Sequence, residues 1–570
     1  YDTEYKAANA TLTYTPKLGE AHHLKAMGGW NLEDNDYKTT RIMRQGLLVK
    51  DKPNFNLING DSYYIQDNGS SQWAFLGYFY RLNYDFKGRY LAEVSGRYDG
   101  SSKFPSNQQW GFFPSGSVGW RVSEEPWMQG LRDMFLDNLK FRFSLGEAGN
   151  GLVSPYQYLS TMSVSKSSVV QNGNFLTYTN APTPVPKSLT WEKVTTYDFG
   201  IDLDMFKNRF NLCFDIYRKN TTDMYVVGDE LPAVYGNSAP KGNNADMRTD
   251  GWELSIGWKD GFNLAGKPFH YYVKGALWDN HSKITKYTAT TNTLPTIYST
   301  KYYKGMELGE IWGFCVDGFF QSKEDVANSP SQSWFTNYNG GGTVWEAGDV
   351  KFKDLDGSKA IDNGNNTLEN HGDLKKIGNT TPRYCYSFSF GADWNGIGFS
   401  MFWQGVGKRD WYPAKESSLF WGQYGRAYGY DLPWHNASNQ AGVDEDGNIT
   451  NPNAYWPRFR SYIAEVTKGP LAQANDRYLQ SAAYLRLKNV TVNYTFPKVL
   501  TSKIGIEKLM LYVSGENLLT FTPLHKHAKN FDPEVIGAGD PDGWNPVGSA
   551  GDGYSYPMMK SISFGLNVTF

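Results

Sequence analysis

The chain is short of cysteine, of excess charge of either sign and of long apolar runs. Among its 570 residues, Cys213, Cys315 and Cys385 lie far apart and form no CxxC, which argues against a disulfide scaffold and a zinc-finger framework. Lys and Arg number 56 against 58 Asp and Glu, a formal charge of −2. That balance excludes a nucleic-acid binder working through bulk positive charge. No apolar run approaches the ~18 residues of a membrane-spanning helix. No HExxH or GxSxG motif occurs. Gly405-Val-Gly-Lys408 fails as a phosphate loop, because Phe402 and Arg409 stand where glycine and Ser/Thr are required. His525 and His527 alone make no zinc site, which takes three or four protein ligands. No cofactor is implied.

What is abundant is aromatic residues and glycine: 19 Trp, 39 Tyr, 33 Phe and 59 Gly. Such a composition without a helical period points to an all-β protein. Ile562, Phe564, Leu566, Val568 and Phe570 alternate with Ser561, Ser563, Gly565, Asn567 and Thr569. One face of this strand is apolar and the other small or polar, so it separates two different solvents. Trp252, Leu254, Ile256 and Trp258 repeat the pattern around Glu253 and Ser255, as do Phe210 to Ile216. Tyr384 to Trp394 and Ile397 to Trp403 flank Asn395-Gly396, a favoured two-residue hairpin turn.

A β-sandwich also alternates, but two features favour a transmembrane antiparallel β-barrel. Large aromatics cluster at both strand ends, as in interfacial girdles, and connections alternate between short and long. The alternation predicts fifteen strands near 5–15, 21–32, 72–85, 89–101, 110–122, 137–148, 189–204, 209–225, 247–259, 268–281, 382–394, 396–409, 481–496, 508–521 and 557–570. The segment 123–136 between two of them reads as a brief amphipathic helix. The long connections, 33–71, 149–187, 226–246, 282–381, 410–480 and 522–555, read as outer loops. Bacterial single-chain barrels are even-stranded, so an odd count predicts that residues 1–570 are the C-terminal part of a larger barrel. A parent of ~22 strands with a plug would place seven strands and the plug before Tyr1.

The residues also resemble a known family, the SusC/RagA-type TonB-dependent transporters. The matching stretches are Gly88-Arg-Tyr-Leu91 through Phe104, Trp110-Gly-Phe-Phe-Pro-Ser115, Gly119-Trp-Arg-Val-Ser-Glu-Glu-Pro126, Leu189-Thr-Trp-Glu-Lys193, Gly348-Asp-Val-Lys-Phe-Lys-Asp-Leu-Asp-Gly357 and Ile377-Gly-Asn-Thr-Thr-Pro-Arg-Tyr384. The later ones are Asn451-Pro-Asn-Ala454, Trp456-Pro-Arg458, Tyr484-Leu-Arg-Leu-Lys-Asn489, Gly515-Glu-Asn-Leu518, Phe531-Asp-Pro-Glu534 and the terminal Phe570. The resemblance implies a protein of the Gram-negative outer membrane that imports oligosaccharides or peptides. A SusD-like surface lipoprotein would act as a lid, TonB would act through a segment outside this chain, and the chain would not be an enzyme. A passive porin and an extracellular glycan-cleaving enzyme are the alternatives.

Aromatics crowd one long connection: Trp411, Trp421, Tyr424, Trp434 and His435. Flat rings stack on the C–H faces of sugars, which makes these five candidates for substrate contact, with Asp540 and Asp542 as carboxylate partners. The alternative is that the rings pack the loop itself or meet the lid protein. Asp354, Asp356 and Asp362 surround Gly357 in a pattern partly like a calcium loop, although glycine falls at position four rather than six. The alternative there is an Asp-rich turn.

Overall fold

In the computed structural model, described residues are 2–570 except 45, 52–53, 59–61, 187–188, 229–230, 238, 290, 298, 300, 337–343, 415–416, 426–436 and 537–555. Fifteen strands form one sheet whose order follows the chain. They are β1 Asp2–Tyr14, β2 His22–Arg44, β3 Ser62–Phe86, β4 Tyr90–Ser101, β5 Trp110–Arg121, β6 Leu136–Asn150, β7 Glu192–Met205 and β8 Phe210–Val227. The others are β9 Lys241–Leu264, β10 Lys267–Tyr287, β11 Arg383–Trp394, β12 Ile397–Lys408, β13 Tyr484–Thr495, β14 Lys508–Phe521 and β15 Ser561–Thr569. The chain divides into two compact units, residues 1–130, 139–200 and 217–248 in one and 131–138, 201–216 and 249–570 in the other.

Fifteen strands match the count read from alternation, and most ends agree within a few residues. The segment 33–71 differs, since β2 and β3 extend through much of it as a paired ribbon out to Arg44 and Ser62. Alternation missed this because residues 33–40 are mostly Asp, Glu, Asn, Lys and Thr. A period-two signal needs faces of contrasting polarity, and both faces of such a ribbon suit water. The connection after β6 also holds a small hairpin, Val164–Gln171 with Asn174–Thr179. The helix expected between β5 and β6 is present as Gln129–Met134, preceded by two short 3-10 turns.

Within the first unit the two faces of the sheet differ chemically. On one, Tyr78, Tyr80, Leu82 and Tyr84 of β3, Tyr90, Val94 and Tyr98 of β4, and Trp110, Phe112, Val118 and Trp120 of β5 are exposed. Their rings gather at the strand ends: Tyr98 stacks on Trp110 at 4.9 Å, and Phe86 on Tyr90 at 6.3 Å. Trp110 and Trp120 stand ten residues apart, about 34 Å along the strand and roughly 26 Å in height at a ~40° tilt. That is close to the ~25 Å apolar band of an outer-membrane barrel.

The opposite face carries charge. Arg81 pairs with Glu93 at 2.7 Å, and Arg97 with Asp99 at 2.9 Å. Gly77 makes room for the second pair: a Cβ there would lie 2.3 Å from the Asp99 carboxylate and 2.7 Å from the Arg97 guanidinium. Farther along this face Phe113, Phe104, Leu189 and Trp191 form a small core, and the Trp191 indole donates to the Gln109 carbonyl at 2.9 Å. Two of the stretches that carry the family resemblance, 98–104 and 189–193, therefore meet in one cluster.

The second unit contains the two-residue turn expected at Asn395-Gly396. Trp394 pairs with Ile397, and Asn395 and Gly396 take φ of 49° and 87°, the left-handed geometry of a type I′ hairpin. A Cβ on Gly396 would also meet the Thr495 carbonyl at 2.5 Å.

The two faces predict a directional result. Val94→Arg, on the apolar face midway along β4, should lower refolding stability in bilayers by roughly 2–4 kcal/mol, and Ser95→Arg on the charged face by clearly less. Equal losses in denaturant titrations would refute the facing.

Candidate functional site

In the second unit the connections after β10 and β12 fold into ordered pieces. Glu310–Phe314 pairs with Leu374–Asn379, Val316–Phe319 with Val350–Phe352, and Asp410–Trp411 with Gln480–Ser481. A helix, Lys323–Asn328, is capped by the Ser322 hydroxyl, which accepts from the Asp325 amide at 3.2 Å.

Between these pieces lies an aromatic core. Trp421 and Tyr424 are fully buried and Trp411 is 3% exposed. Trp421 meets Phe420 edge-on at 4.8 Å, and its indole donates to the Ala414 carbonyl at 2.9 Å. Tyr424 stacks on Trp456 at 5.7 Å and donates to the Pro457 carbonyl at 2.7 Å. Trp411 packs on Phe531 at 5.0 Å. Of the candidates for sugar stacking, Trp421 and Tyr424 therefore have their rings engaged within the loop, while Trp411 also lines a cavity. Trp434, His435, Asp540 and Asp542 lie outside the described residues.

Ion pairs tie the loops to the strands. Arg486 of β13 is almost wholly buried and donates to Asp532 at 2.7 Å and to Glu534 at 2.5 Å, while Lys488 reaches Glu534 at 2.9 Å. The Asp532 carboxylate also accepts the backbone N–H groups of Glu534 and Met558, each at 2.9 Å. Phe531-Asp-Pro-Glu534 is thus a brace. Arg383 of β11 grips Asp279 of β10 through two bonds of 2.6 Å. Arg460 binds Asp349 in the same bidentate way, at 2.7 and 2.8 Å.

The acidic turn brings together Asp354, Asp356 and Asp373, their carboxylates within 4.8 Å of one another. Asp373 stands where Asp362 was expected, and Asp362 contributes its N–H to the Asp373 carboxylate at 2.9 Å. The carboxylates accept backbone amides, from Gly357 at 2.8 Å, Ser358 at 2.9 Å and Leu355 at 2.6 Å. Burial raises the pKa of Asp373. Spacing could not have singled out Asp373, because the chain loops through sixteen residues between it and Asp356.

Beside the aromatic core is a cavity of about 450 Å³, walled by Tyr302, Trp312, Thr380, Thr381, Arg409 and Trp411 among others. A larger hollow of about 900 Å³ follows the strands near the Ala265-Gly266 turn between β9 and β10, around His270, Tyr272 and Asp393. It is at the short-connection end, away from the loops, so the smaller cavity is the better candidate for ligand contact.

An exposed apolar face with aromatic rings at both strand ends, opposite a face of ion pairs, defines a β-barrel protein of the bacterial outer-membrane type. Residues 1–518 match the TonB dependent receptor-like, beta-barrel family, and the chain belongs to that family. TonB-dependent receptor P3 of Formosa agariphila is 26% identical over 578 residues, covering 98% of this chain and 52% of that protein. TonB-dependent receptor SusC of Bacteroides thetaiotaomicron is 24% identical, covering 87% of this chain and 44% of that protein. The structure of the RagAB peptide transporter superposes with a TM-score of 0.70 at 19% identity, over all of this chain and 56% of its own. The chain thus spans about half the length of the relatives it matches. The SusC/RagA resemblance and the outer-membrane location read from the residues hold.

Two outcomes test the loop architecture. Arg486→Gln leaves two carboxylates without their buried partner, and the loss should be about 3–5 kcal/mol of local stability. Hydrogen exchange of residues 524–536 reads it, and unchanged protection would remove the brace. His527 stacks on Tyr455 at 3.6 Å, and burial pushes its pKa down to about 4. The folded loop holds this imidazole neutral, so the unfolded chain binds the extra proton between about pH 6.5 and 4. Protection around His527, corrected for intrinsic exchange, should therefore fall as pH drops through that window. His527→Phe should abolish the dependence.

Proposed function

We propose that this chain is the C-terminal barrel portion of a TonB-dependent importer that takes up oligosaccharides across the outer membrane. A SusD-like lipoprotein closes the outer mouth. TonB acts through a plug carried by residues that precede this chain in a parent of ~22 strands. The chain binds and passes cargo and performs no chemistry on it, and it needs no cofactor. The connections 282–381 and 410–480 face the outside, where nutrients arrive.

The single observation that carries the cargo reading is the 450 Å³ cavity, whose walls combine the rings of Tyr302, Trp312, Trp411 and Tyr412 with the hydroxyls of Thr380 and Thr381. Rings suit the C–H faces of a sugar and hydroxyls suit its rim. Trp411, Trp434 and His435, with Asp540 and Asp542, remain the sequence-derived contacts of this proposal. A peptide is the second reading, favoured by the fold likeness to the RagAB peptide transporter. A passive porin would share the strands but need no plug.

Calorimetry on the full-length transporter with its lid protein tests the reading. Trp312→Ala and Trp434→Ala should each weaken glycan binding by about 1 kcal/mol, the order for truncating a stacked ring. Heat-modifiable migration on gels should stay unchanged, because these side chains belong to the loops. Tight binding of peptides alone would overturn the oligosaccharide assignment.

A further inference from the structure

The buried and half-buried arginines of the loop layer have partners that neutralise or enclose them. Arg383 grips Asp279, Arg458 reaches Glu346 at 2.6 Å, Arg460 grips Asp349, and Arg486 binds Asp532 and Glu534. Arg477 lies over the Phe319 ring at 4.5 Å and donates to the carbonyls of Ala454 and Tyr455. Arg409 departs from this pattern. Its Nε donates to the Thr380 carbonyl at 3.3 Å and its Nη1 to the Pro533 carbonyl at 3.5 Å, both long. Among the described residues it makes no ion pair. Burial lowers its pKa from the ordinary arginine value. An arginine stays protonated nonetheless, so a half-buried charge stands at the cavity without a counter-ion among the described residues.

The two carboxylates on the same wall are otherwise engaged. Glu310 accepts from the Tyr303 hydroxyl and from the Trp312 indole at 2.9 Å, and it lies 3.4 Å from the Lys376 ammonium. Asp410 accepts the Asn379 amide at 2.9 Å. Neither lies within ion-pair distance of Arg409.

We propose that the cavity beside Trp312 is an oxyanion subsite, in which Arg409 receives a carboxylate or sulfate carried by the cargo. A guanidinium presents its N–H groups as a planar fork, and two of its donors are held only loosely by carbonyls, so a bidentate oxyanion can take them over. The ring walls lower the effective dielectric on one side of the pair and so strengthen it. On the oligosaccharide reading, on which this inference rests, the cargo contains an acidic sugar, a uronate or a sulfate ester.

The test is calorimetry on the full-length transporter with its lid protein. The probes are tetragalacturonate and its methyl ester, a sulfated tetrasaccharide and its desulfated form, and tetraalanine with a free or amidated C-terminus. At least one anionic probe should bind roughly tenfold or more tightly than its neutral counterpart, the order for a charge-assisted hydrogen bond. That preference should collapse in Arg409→Gln, persist in part in Arg409→Lys, and shrink with added salt. The lysine variant guards against a glutamine variant that merely misfolds. Preference for tetraalanine alone would sustain the oxyanion subsite and overturn the oligosaccharide reading. Equal binding of charged and neutral glycans, unaltered in both variants, would overturn the subsite and leave that reading standing. No charge-dependent binding by any probe would also overturn the subsite.

Discussion

Every polar group of a backbone that crosses a bilayer must find its partner within the protein, because hydrocarbon offers none. The fifteen-stranded ladder meets that constraint between neighbouring strands, each of which bonds to the next in chain order, and the sequence is shaped by it. Side chains alternate between two solvents because consecutive Cβ atoms must, which is why Val94 faces one way and Glu93, paired with Arg81, the other. The same constraint sets where rings stand. Tyr and Trp are amphipathic, so they concentrate where the apolar band meets water, as at Tyr98 and Trp110.

Once the strands are fixed, the long connections face a different problem. They lie beyond the hydrocarbon, gain nothing from the ladder and must hold themselves. They do so with a core of their own, in which Trp421, Tyr424, Trp456 and Tyr478 are buried, and with braces into the strands. Arg486 belongs to β13 while its partners Asp532 and Glu534 belong to the connection after β14. A buried pair of this kind adds little net stability but is costly to break, so it specifies one arrangement of the loops against others.

This division explains what the sequence disclosed. Strand number and most strand limits were legible, because a period of two is local and has strong contrast. The outer ribbon of β2 and β3 was not legible, because that contrast is missing from residues such as Asp34, Asn35 and Asp36. The candidate site was half legible. Composition located the aromatic-rich loop, but it could not separate rings that fill the loop from rings that line a cavity, since both demand the same residues. Trp421 and Trp312 differ only in what surrounds them. Asp373 and Arg409 escaped because their neighbours are remote in the chain, and Arg409 was met only as the residue that spoils a phosphate-loop pattern.

Arginine placement follows the same logic one step further. A guanidinium is tolerated in a desolvated setting when carboxylates, carbonyls or rings take over the role of water. Arg383, Arg460 and Arg486 have carboxylates, and Arg477 has two carbonyls with a ring. Arg409 has two long carbonyl contacts and a cavity. Acidic side chains were at hand, for Asp410 is its immediate neighbour and Asp532 and Glu534 flank its second acceptor, Pro533. Each of them is turned to another donor: Asp410 to an amide, Asp532 and Glu534 to Arg486. Among the described residues, the compensation absent from Arg409 is thus absent amid carboxylates already committed elsewhere. An incoming anion would complete the pattern that the other arginines of this layer already obey, while a neutral ligand would leave the charge as it stands.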